Sequence, residues 1–137
     1  MSTHIEESHA ALDDVARQLR AVVAGAVHAP GAGGYDLALA GYNVATQHRP
    51  AAVVVATNAS DVALTVDLAR RRGLTVAVQS TGHGAAAAGP DSIMLITSEL
   101  DSLTIDPDAR TATVGAGVRW QRVLDAATPY GLGGLAG

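Results

Sequence analysis

Glycine, histidine and hydroxyl side chains crowd one short stretch of the chain, Gln79-Ser80-Thr81-Gly82-His83-Gly84. The stretch directly follows an apolar run that reads as a strand. In open α/β sheets, ligands bind at the carboxyl ends of strands. Glycines on either side of a histidine let the backbone approach a ligand closely and adopt dihedral angles that other residues avoid. Successive backbone N–H groups in such a turn can form a concave anion site, suited to a pyrophosphate. Ser80 and Thr81 add hydroxyl donors. Imidazole is the one side chain here that is a good neutral nucleophile near pH 7. A histidine in a glycine loop also fits a plain exposed turn residue. On position and spacing alone, the plain turn residue is the expected reading of His83.

Other chemistries find little support. The chain has no cysteine, which excludes disulfides, zinc–thiolate sites and cysteine nucleophiles. His4, His9, His28, His48 and His83 are scattered without ligand spacing, so no metal site is expected. There is no Gly-x-Ser-x-Gly, no Walker loop and no paired-carboxylate pattern, so no catalytic residue is assigned. The cluster Gly31, Gly33 and Gly34 lacks a preceding strand and reads as a linker. A net charge of −4 gives no reason to expect nucleic acid or an anionic membrane as partner. The early acidic residues Glu6, Glu7, Asp13 and Asp14 do not fit a secretory signal. The apolar runs are too short to span a bilayer. A soluble, cytoplasmic protein is expected.

The elements that must position the loop can be read from hydrophobic periodicity. The 137 residues are 48% hydrophobic and 16% charged, the balance of a globular domain. Ser8 as cap and the spacing of Leu12, Val15, Leu19, Val22 and Val23 predict a helix over 9–21. Val22–Val27 either continues it or forms a short strand, and Tyr35–Tyr42 reads as a short helix. Ala52–Ala56 is a continuous apolar run, as in a strand covered on both faces. Ser60 is the expected cap of a helix running to Arg72, with Val62, Val66 and Ala69 on its apolar side, beside Leu64 and Leu68. Arg70, Arg71 and Arg72 suit its last turn, as a solvated end more than a phosphate site, and Gly73 its stop. Leu74–Val78 is the next strand, which makes a parallel βαβ unit. Strand 93–96 follows, then a hairpin of Leu103–Ile105 and Thr111–Val114 about the turn Asp106-Pro107-Asp108-Ala109. A helix near 119–128 carries Trp120, Val123, Leu124 and Ala127 on one face. The expected fold class is α+β.

Several segments, in order, resemble the flavin domain of the covalent FAD-linked oxidases related to berberine bridge enzyme. These belong to the vanillyl-alcohol oxidase and p-cresol methylhydroxylase (PCMH) superfamily. The segments are Tyr35-Asp36 with Tyr42-Asn43, Arg49–Val54, Asp61-Val62 with Ala69-Arg70 and Gly73-Leu74, and Thr81–Gly84. They continue with Asp106-Pro107, Ala109-Arg110, Val114–Gly117 with Trp120, and Pro129–Leu132 with Gly137. The resemblance covers about residues 35–137. It implies a PCMH-type FAD-binding subdomain: a small parallel βαβ layer and a β-hairpin with packed helices, truncated before the enzyme is complete. Residues 1–34 would be an N-terminal helix and Gly-rich linker, and 35–137 a partial FAD-binding domain.

The resemblance also implies that Gln79, Ser80, Thr81, Gly82, His83 and Gly84 bind FAD, with His83 bonded covalently to the flavin 8α-methyl carbon. Many relatives carry Arg at the position of Gln79, Gly at Thr81 and Ser at Gly84. The implied function is FAD binding within an oxidoreductase that passes substrate hydride to flavin and then to dioxygen, giving hydrogen peroxide. A small-molecule substrate would be met only in the complete enzyme. The alternatives are a non-catalytic remnant or a small α/β module that binds a nucleotide or a protein.

Overall fold

The computed structural model describes residues 13–84 and 86–135. They fall into two compact units, Met1–Glu99 and Leu100–Gly137. Both α-helices and β-strands are present in each, so the class is α+β as expected.

The first unit holds a helix over 13–20 (α1), β1 (Ala26–His28), α2 (Tyr35–Leu39), β2 (Ala52–Val55), α3 (Ala59–Arg72), β3 (Thr75–Gln79) and β4 (Ser92–Ile96). The expected cap Ser8 and helix residues 9–12 lie outside the described residues. The open choice at Val22–Val27 resolves into a turn and then β1, and α2 stops at Leu39, short of Tyr42. The strand order is β1-β2-β4-β3. β1 runs antiparallel to β2, whereas β2 and β3 both run parallel to β4. The βαβ unit is therefore parallel as expected, but its two strands are not neighbours. β4 sits between them, with Ala52 and Val76 both opposite Ile93.

Burial explains why β4 takes that place. Among the described residues, Ser92–Ile96 is the one strand buried along its whole length. Such a run is satisfied only where both faces and both edges are covered. On one face, Val53, Met94 and Ile96 form a core with Tyr35, Leu39 and Ala88. Alternation places Val54, Ile93 and Leu95 on the opposite face, where they too are buried.

Helix α3 differs from expectation at its start and along its inner face. Asn58, not Ser60, is the cap: its backbone is extended and its side-chain oxygen accepts from the Asp61 N–H at 2.9 Å. The buried residues are Asp61, Thr65, Leu68 and Ala69, while Val66 is 47% exposed. Polar residues can occupy that face because their groups are bonded: the Thr65 hydroxyl donates to the Asp61 carbonyl at 2.7 Å. The far end is as read. Gly73 is left-handed with φ 65°, and the Leu74 N–H closes on the Ala69 carbonyl at 2.9 Å. Arg70 and Arg71 pair with Asp67 in that exposed last turn.

The second unit is a separate two-stranded sheet, not an extension of the first. β5 (Leu103–Asp106) and β6 (Thr111–Val114) pair antiparallel. Asp106 Oδ1 accepts the Ala109 N–H at 2.9 Å within the turn, and Arg110 adopts the left-handed region at φ 55°. α4 (Trp120–Ala127) buries Val123 and Ala127, and a 3-10 turn, Thr128–Tyr130, ends it. Trp120, at 43% exposure, lies further out than its place on the expected apolar face suggested.

Asp61 joins three segments of the first unit. It is 1% exposed, and its carboxylate accepts from the N–H groups of Ala24, Gly25 and Thr57 and from the Thr57 hydroxyl, all at 2.8–3.1 Å. Burial alone would raise its pKa, but the hydrogen bonds from Thr57, Ala24 and Gly25 outweigh burial and hold it below the usual carboxylate value. A carboxyl whose folded pKa is depressed contributes stability that is present above the unfolded value and lost as pH falls through the folded one. Asp61→Ala should therefore destabilise the chain by about 3 kcal/mol at neutral pH. Denaturant melts should also show the parent's advantage over the variant shrinking below about pH 4. A constant gap down to pH 2 would contradict the assignment.

Candidate functional site

The stretch 79–84 begins at the carboxyl end of β3, beside the carboxyl end of β4, where Gln79 pairs with Ile96. The Gln79 carbonyl accepts the Thr97 N–H at 2.9 Å. From this anchored start the chain turns outward. Gln79 and Gly82 are buried, whereas Ser80, Thr81, His83 and Gly84 are exposed. A shallow recess of about 210 Å3 is lined by Val78 to Gly84. The six residues singled out in the sequence are thus one contiguous turn, at the sheet end where ligands of such folds bind.

A second segment holds this turn. The Tyr42 N–H donates to the Thr81 carbonyl at 2.7 Å, and the Asn43 N–H to the Gly82 carbonyl at 3.4 Å. The Gln79 side-chain amide donates to the Leu39 carbonyl at 3.3 Å. Among the described residues, no backbone N–H of residues 80–84 donates a hydrogen bond. The carbonyls of Gln79, Thr81 and Gly82 are thus used by the protein, while the N–H groups of 80–84 have no protein partner among the described residues. An anion-binding turn needs that polarity.

Gly82 is required by two independent constraints. Its φ is 77°, in the left-handed region, and a Cβ there would lie 2.9 Å from the Gly41 α-carbon. Gly84 has neither constraint, since a Cβ would meet nothing within 4 Å. His83 is exposed, and its Nδ1 lies 2.8 Å from the Thr81 hydroxyl. That contact orients the ring and engages one of its two nitrogens.

Sequence reasoning passed over the segment 39–43 as part of this site. Gly41 was the available signal, because a lone glycine beside a helix end can mark close backbone approach.

A family profile described as the FAD binding domain matches residues 50–134. The chain belongs to the FAD binding domain family. An FAD-dependent monooxygenase of Arthrobotrys oligospora is 34% identical over 92 residues, covering 64% of this chain and 18% of that protein. The crystal structure of 6-hydroxy-D-nicotine oxidase from Arthrobacter nicotinovorans superposes with a TM-score of 0.68 at 27% identity, covering 80% of this chain and 24% of that one. A chitooligosaccharide oxidase shares the fold with a TM-score of 0.72 at 22% identity, over 92% of this chain and 27% of that one. The chain therefore spans less than a fifth of the fungal relative and about a quarter of the solved oxidases. These matches favour a flavin over the general nucleotide- or protein-binding module. Among the described residues, no helix is long and apolar enough to cross a membrane.

Gly82→Ala combines a disfavoured φ with a clash against backbone. It should cost about 1–3 kcal/mol, read as a lower denaturant midpoint. Gly84→Ala should leave the midpoint where it is. Equal effects at the two positions would show that the loop is not held as described.

Proposed function

We propose that this chain is the FAD-binding portion of an oxidoreductase, and that Gln79, Ser80, Thr81, Gly82, His83 and Gly84 are its cofactor loop. The observation that carries the reading is the polarity of that loop within a chain of the FAD binding domain family: the N–H groups of 80–84 free, the Thr81 and Gly82 carbonyls engaged, and a glycine where a Cβ cannot fit. Backbone donors and the hydroxyls of Ser80 and Thr81 suit the cofactor's pyrophosphate. His83 is exposed at the outer turn of the same loop, where its imidazole can reach a ligand seated on it. We assign it the covalent bond to the flavin 8α-methyl carbon. When bound, FAD supplies hydride acceptance at its ring, and the protein supplies binding and orientation.

We take 35–137 as the flavin-binding portion, with β1 at Ala26–His28 adding an antiparallel strand to its sheet. A small-molecule substrate is met only where the rest of an enzyme of this kind surrounds the flavin. The names of the similar proteins, a monooxygenase and oxidases, favour dioxygen as the co-substrate in that setting. A mildly acidic chain without a membrane-crossing helix among the described residues gives no support to a nucleic-acid or membrane partner.

Flavin fluorescence of the denatured chain in a gel, with intact mass after incubation with FAD, tests the assignment. The expected result is a fluorescent band with the mass of one added FAD, mapped to His83. His83→Ala should lose the attached flavin while the fold, followed by circular dichroism, is unchanged. Attachment that persists in His83→Ala would remove His83 from the role.

A further inference from the structure

Gln79 stands out for a cost that stability does not explain. Its side chain is 4% exposed, and its Oε1 is buried without a hydrogen-bond partner. A buried acceptor without a donor is unfavourable, and an apolar residue of the same length would avoid that cost. The amide orientation is set by the Leu39 carbonyl, which can only accept and so must face Nε2. The orphan oxygen is thus left against two glycines. A Cβ on Gly41 would lie 3.2 Å from Gln79 Nε2 and 3.3 Å from Oε1, and one on Gly82 would lie 3.1 Å from Oε1. The amide fills the gap between the 39–43 segment and the 80–84 loop, and both backbones lie close against it.

We propose that Gln79 is a positioning residue for the cofactor loop, its buried amide acting as the wedge that sets where the 80–84 loop lies against the 39–43 segment. The inference rests on the reading of 79–84 as the cofactor loop. It changes the part played by Gln79 within that loop, because a side chain covered by Leu39, Gly41 and Gly82 acts through the backbone and not by touching the ligand. The bond from Nε2 fixes the wedge to the end of α2. The bonds from the Tyr42 and Asn43 N–H groups to the Thr81 and Gly82 carbonyls then transmit that position to the two residues before His83. Those carbonyls are held on the protein side, and the N–H groups of the same turn are kept for the ligand.

Gln79→Met keeps the length and volume and removes both polar atoms. Gly41→Ala presses on the wedge from the other side while leaving Gln79 intact. Each variant of the full chain would be followed by thermal melting, by amide hydrogen exchange at Tyr42, and by uptake and covalent attachment of FAD. With Gln79→Met we expect a melting midpoint at or above the parent's, exchange at Tyr42 faster by about tenfold, and slower attachment of FAD. Gly41→Ala should speed Tyr42 exchange and slow attachment in the same sense. A fall in melting midpoint that accounts for the faster exchange would reduce Gln79 to a structural residue and overturn the proposal. Unchanged exchange in both variants would overturn it as well. If the parent itself takes up no FAD while exchange quickens as expected, the cofactor reading falls and the wedge stands.

Discussion

A strand buried on both faces and along both edges has no access to water for any of its backbone groups. Every donor and acceptor on β4 must therefore be met within the protein. β2 and β3 meet most of them, and both run parallel to β4 with their carboxyl ends together. The end of β3 is then beside the end of β4, and the residue that leaves the sheet there is Gln79. The start of the 79–84 loop is thus placed by the burial of Ile93, Met94 and Leu95.

From that starting point the loop is shaped by a second constraint, the contact of two glycines. Gly41 and Gly82 bring two backbones closer than side chains allow. The carbonyls of Thr81 and Gly82 are drawn to the 42–43 N–H groups, and the N–H groups of 80–84 are left without a protein partner among the described residues. Which backbone groups of the loop stay open to a ligand follows from which ones the protein has already used.

Much of this was legible in the residues. The end of α3 could be read because Arg70–Arg72 and Gly73 act locally, through the helix dipole and the left-handed region. The hairpin could be read because Pro107 and Asp106 act within four residues of each other. The His83 loop could be read as a candidate because glycine and histidine are uncommon neighbours after an apolar strand. What could not be read depends on distant partners. Ser60 seemed the cap of α3 because it precedes the apolar pattern closely, but Asn58 has the extended backbone and reaches the Asp61 N–H. Val66 seemed to face inward because it is apolar, while Asp61 and Thr65 take the inner face because their hydrogen bonds are supplied there. No periodicity reveals that β4 inserts between β2 and β3, since strand order is not a local property. The approach of Gly41 to Gly82 spans about forty residues of chain and leaves no local mark beyond the glycines themselves.

The strand order also sets a sequence of events in time. β2, α3 and β3 leave the ribosome before β4, yet β2 and β3 have no ladder with each other until β4 arrives between them. Until residues 92–96 emerge, the facing edges of β2 and β3 are without the ladder partner they have in the finished sheet. Non-local closure of this kind is slow and exposes sticky surface meanwhile. The same insertion that shields the middle of the finished sheet leaves the unfinished chain open to chaperones and to aggregation, and the turn at 79–84 cannot take its place until that interval ends.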